Sequence, residues 1–162
     1  MSVNLLLGIL IGALVVLRVI GRQVRGSMVT QRSLVVMPLI LVIVGLLSAR
    51  EAFNTASAGE LAFFIFDVAV LILIGFARGA STQLTVRDGG LHQKGTGTTL
   101  ALWLLTIGIR VGAGFAGAAI GLNGSLTTAA LLLTFGLSIA AQNVAVYLRA
   151  QRLHIPLAAE RA

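Results

Sequence analysis

Five apolar runs, each long enough to cross a lipid bilayer, occupy most of this chain and limit what it can fold into. A membrane span needs about 20 mostly apolar residues at a rise of 1.5 Å each, within a range of about 17 to 25. The runs are Val3–Ile20, Ser33–Ala49, Glu60–Ala77, Thr98–Leu122 and Leu126–Leu148. In lipid no water satisfies backbone N–H and C=O groups, so each run must close its own hydrogen bonds as a helix. Apolar side chains lie all around these helices, as a surface facing lipid requires. The second run is the shortest and carries Pro38 near its start, where a missing N–H costs least. Composition agrees: 57% of residues are hydrophobic and 10% charged, against about 25% charged in soluble domains. These features predict an all-α membrane protein, a five-helix transmembrane bundle forming one domain over residues 1–162. Residues 149–162 form a tail.

Orientation follows from the basic residues, which concentrate in cytoplasmic loops. One set of segments holds Arg18, Arg22, Arg25, Arg32, Arg78, Arg87, Lys94, Arg149, Arg152 and Arg161. The other holds only Arg50, with Glu51 and Glu60, while Arg110 lies inside the fourth run. The alternation agrees loop by loop with five spans, an N-terminus outside and a C-terminus in the cytoplasm. A four-span alternative would lay the first or second run in the interface. Neither run has the one-sided polar face that such a helix needs. The first apolar run lacks a preceding positive segment, so a cleaved signal is not expected.

The segment between the third and fourth runs has a pattern of its own. Gln83 to Arg87 alternates polar and apolar residues, Asp88-Gly89-Gly90 follows, and Leu91 to Lys94 alternates again. Asp-Gly-Gly suits a tight turn needing positive φ, so a short cytoplasmic β-hairpin is expected. A two-stranded hairpin is marginal in water, so it should pack against the basic first loop or a partner. The tail, interrupted by Pro156, either lies on the anionic inner leaflet or frays into solvent.

Two charges stand near the middle of apolar runs. Asp67 follows Phe63-Phe64-Ile65-Phe66, and Arg110 sits in Ile107-Gly108-Ile109-Arg110-Val111. A lone charge at mid-membrane costs about 2.5–3.5 kcal/mol on the mild insertion scale. Run lengths put Asp67 about 10 Å and Arg110 about 17 Å below the same face. An extended arginine closes that gap, so an intramembrane Asp67–Arg110 ion pair is predicted. It either lines a path or pins two helices in register.

A second polar patch is expected from Ser138, Gln142 and Asn143 near the inner end of the fifth run, at a depth similar to Arg18 on the first. Interhelical hydrogen bonding is its plain use, a cytoplasmic vestibule its sharper one. Small residues form stripes for helix packing: Gly8 with Gly12, Gly108 with Gly112 and Ala116, and Ala113 with Gly117 and Gly121. Two such ridges on the fourth helix suggest that it is central or meets a second copy.

Other chemistries are excluded or unsupported. The chain has no cysteine, which rules out disulfides, thiolate metal sites and thiol relays within it. His92 and His154 lie outside the runs, so no intramembrane bis-histidine haem can form; no cofactor or metal is expected. The +7 charge is spread between spans rather than along one stripe, which argues against nucleic acid. Gly95-Thr96-Gly97-Thr98 offers either N–H groups to an anion or a plain helix start. Asn123-Gly124-Ser125 reads as a tight outer turn.

Arg78-Gly79, the run Leu84-x-Val86-x-Asp88-Gly89-x-Leu91, and Gly95-Thr96 leading to Trp103 resemble a family of small bacterial membrane proteins related to CcdC. Arg32 with Pro38 is similar too. The resemblance covers roughly residues 20–115. It implies a link to cytochrome c maturation and the plasma membrane of a bacterium, but no established activity and no catalytic residues. Without cysteine, such a role would be supporting rather than direct thiol transfer.

The expected function is therefore a non-enzymatic accessory or scaffold protein, held in the lipid bilayer and binding another membrane protein. The alternative is a small homo-oligomeric transporter or channel with Asp67 and Arg110 along its path. A membrane enzyme would need a cluster of carboxylates or metal ligands, and five scattered acidic residues do not supply one.

Overall fold

The structure is a computed structural model that describes residues 10, 14, 17–18, 21, 25–87, 89–122 and 125–157. The first predicted span therefore lies outside the described residues, apart from Leu10, Leu14, Leu17 and Arg18, which are helical and exposed. Gly8 and Gly12 lie outside them too.

Four described helices are long and apolar enough to cross a membrane. They are α1 (Gln31–Thr55), α2 (Ala58–Ser81), α3 (Gly97–Ala119) and α5 (Leu131–Arg152), with a short α4 (Ser125–Ala129) before the last. The first three start on reciprocal capping boxes: Thr30 with Ser33, Ser57 with Glu60, and Thr96 with Thr99. In each, two N–H groups that the helix leaves free are satisfied locally. The Gly95–Thr98 segment is thus a self-capped helix start.

The predicted fifth run is interrupted. Ala130 carries the hydrogen bond from its N–H to Leu126 and accepts from Thr134, but its ψ of 13° separates α4 from α5. No proline or glycine stands there. The Thr127 carbonyl, which in an unbroken helix would face the N–H of Leu131, instead accepts from Arg110 Nη2 at 3.1 Å.

The hairpin is larger than the alternation implied. β2 (Gln83–Arg87) and β3 (Gly90–Lys94) pair antiparallel with Arg87 opposite Gly90. Gly90 is therefore the first residue of a strand, and the connection shrinks to two residues, the second being Gly89 at φ +75°. A third strand, β1 (Ser27–Met28), pairs with the other edge of β3. The segment expected to pack against the hairpin thus joins its sheet, and the added strand relieves the marginality of a lone hairpin. Val29 and Leu91 bury their side chains against Val146 and Ala150 of α5, with Ile155 and Leu157 of the tail packed alongside.

The centre of the bundle is α5, not α3. More than half of α5's apolar window (56%) is buried, against 17% for α3. The glycines that allow this lie elsewhere than in the α3 ridges. A Cβ at Gly45 would land on the Leu133 backbone, and one at Gly75 or Gly79 on the Ser138 or Gln142 carbonyl. A Cβ at Gly136 would stand 2.9 Å from Val42 N. α5 is therefore wedged between α1 and α2 at backbone contact.

Candidate functional site

Asp67 is nine residues past the start of α2, and Arg110 nine residues before the end of α3. In an antiparallel pair this places both about 14 Å from the same end, so no snorkelling is needed. Arg110 Nη1 donates to Asp67 Oδ2, with side-chain exposures of 6% and 2%. Arg110 Nη2 reaches the Thr127 carbonyl at 3.1 Å. One guanidinium thus ties α2, α3 and the α4–α5 break together. Its planar fork suits the task, since two donors leave it in fixed directions. Arg110 lines a cleft of about 380 Å³, together with Glu60, Phe63, Gly117 and Leu122.

The other predicted residues do not form one patch. Asn143 Nδ2 donates to the Leu34 carbonyl at 2.7 Å. Ser138 Oγ donates to the Leu71 carbonyl at 2.9 Å and accepts from Arg78 Nη2 at 2.8 Å. Gln142 is buried, with no partner for Oε1. Arg18 is exposed and belongs to none of these contacts. The first two use hydrogen bonds to join helices, the plainer of the two expectations.

The small-residue ridges divide as well. Ala113 and Gly117 line the cleft, where a Cβ at Gly117 would stand 3.8 Å from Phe63. Gly121 lies beyond α3 at φ +78°. Gly108, Gly112 and Ala116 are exposed, with open space at the first two. This ridge packs on nothing among the described residues, contrary to the expectation that it would fix α3 at the centre.

Arg78 is the residue that the sequence misplaced. Counted with the basic loop residues, it lies instead in the last turn of α2 with no exposed surface. Its Cζ stands 3.8 Å from the ring centroid of Trp103, itself fully buried. Side chains on a helix lean toward its N-terminus, which carries a residue at the C-terminal edge of a run back into the bundle. Arg149 meets the end of α2 instead. It reaches across from α5 and donates to the Gly79 and Thr82 carbonyls at 3.0 and 2.8 Å, at the negative end of the α2 dipole.

These helices define the class: a multi-pass helical membrane protein with a small sheet at one end. Comparison with protein-family models, curated proteins and solved structures finds no match.

Proposed function

We propose that this protein is a non-enzymatic accessory subunit that docks another integral membrane protein along α3. In this proposal the bundle has five spans in a bacterial plasma membrane, the first formed by residues 3–20. The N-terminus is outside, and the sheet and C-terminus are cytoplasmic. The carrying observation is the exposed ridge Gly108–Gly112–Ala116 on a helix that buries little against its own chain. Small residues let a second helix approach to backbone contact, and this drives association where lipid offers no hydrophobic gain. The intramembrane charges support a structural use, since Arg110 is engaged by a carboxylate and a helix carbonyl. The resemblance to CcdC-related proteins suggests a partner from cytochrome c maturation. Purification in mild detergent followed by mass spectrometry tests this. A stoichiometric membrane partner supports it; a chain that copurifies with nothing overturns it.

A second reading, homo-oligomeric transport, is favoured by one observation: the cleft meets an ion pair beside a broken helix. Irregular backbone at membrane depth is tolerated where it lines a cavity. Asp67→Asn in a proteoliposome flux assay separates the two. Loss of flux with folded protein supports transport.

A further inference from the structure

Arg78 is a buried cation with no carboxylate beside it among the described residues. Arginine keeps its proton at any physiological pH, so the charge stays. Asp67 is paired with Arg110 and lies eleven residues back along α2, about 16 Å at helical rise. Glu60 is further along the same helix, and Glu51 is exposed near the end of α1. The groups given to Arg78 are neutral: the Ser138 hydroxyl at 2.8 Å, the Ser138 carbonyl at 3.5 Å and the Trp103 ring. Its Nε and Nη1 have no partner, nor has Gln142 Oε1 one turn beyond Ser138.

Cation–π stacking offsets part of the burial. It leaves two N–H donors unmet, and an unmet buried donor is costly, more so on a charged group. Among the described residues, Arg78 is therefore left without a counter-charge and with two donors unmet. We infer that Arg78 holds a small inorganic monovalent anion of halide size, seated against Nε and Nη1 beside Trp103. Size follows from burial: Arg78 and Trp103 are both 0% exposed, which excludes a lipid headgroup or organic acid. A bound anion fastens α2, α3 and α5 where the sheet begins, at a point separate from the α3 ridge.

Trp103 is the chain's only tryptophan, so its emission reports on this site alone. Iodide is added to the purified full-length protein at constant ionic strength, with chloride as competitor and acrylamide as neutral quencher. The site predicts saturable quenching by iodide, reversal by chloride, and little effect of acrylamide on a ring with no exposure. Arg78→Met abolishes the saturable component. Quenching that rises without saturation, or that chloride does not reverse, overturns the assignment using wild-type protein alone. Should Arg78→Met fail to fold, Ser138→Ala must weaken the iodide response, and an unchanged response there also overturns it.

Discussion

Asn143 on α5 donates to the carbonyl of Leu34 on α1, and Leu34 is the residue whose helical partner Pro38 removes. The N–H that would meet this carbonyl belongs to position 38, and proline has none. The 2.7 Å bond therefore repairs a gap in one helix with a side chain from another. Asn143→Leu should cost about 1 kcal/mol, within the range for hydrogen bonds between membrane helices. In a Pro38→Ala background, which restores the N–H, that cost should shrink. A double-mutant cycle by unfolding in detergent measures the difference.

Neutralising one member of the Asp67–Arg110 pair should destabilise far more than removing both. Breaking a buried pair typically costs about 3–5 kcal/mol because the remaining charge is stranded. Asp67→Leu and Arg110→Met should each lower the unfolding midpoint sharply. The combined Asp67→Leu, Arg110→Met variant should recover most of the loss. Additive single effects would show that the two groups act independently.

Glycines should separate by what faces them, not by their spacing. Gly75→Ala and Gly79→Ala press a methyl into the α5 backbone, and overpacking of this kind costs about 1–3 kcal/mol. Gly112→Ala meets open space and should leave the unfolding midpoint unchanged or slightly raised. Thermal unfolding of the three variants side by side gives the answer.

At the sheet end, Gly89→Ala should loosen the hairpin, because an L-residue at φ +75° costs about 1–2 kcal/mol. Gly89→Asn, which tolerates that conformation, should lose less. Limited proteolysis between β2 and β3 ranks them.

The charge pair was legible in the sequence because Asp67 and Arg110 interrupt apolar runs, and lipid leaves such groups few choices. The hairpin was legible from its alternation and its Asp-Gly turn. Arg78 was not, since a basic residue at the edge of an apolar run ordinarily flanks the membrane. What buries it is the Trp103 ring on α3 and the Ser138 hydroxyl on α5, neither adjacent in sequence. The glycine-rich α3 suggested a central helix. Yet close packing depends on the backbone opposite, and that information lies in Gly45, Gly75, Gly79 and Gly136. The break at Ala130 leaves no local trace either, because the Thr127 carbonyl is engaged by an arginine 17 residues away.

The proposal that α3 presents a docking ridge is tested most directly by cross-linking in native membranes from single cysteines that carry a thiol-reactive photo-cross-linker, which needs no thiol on the partner. The chain has no cysteine, so single substitutions report cleanly. Gly108→Cys, Gly112→Cys and Ala116→Cys should form adducts with one membrane partner, whose mass identifies it. Leu47→Cys on α1 and Phe66→Cys on α2, equally exposed to lipid, should not. Adducts from the control positions at the same yield, or none from the α3 ridge, would contradict the proposal.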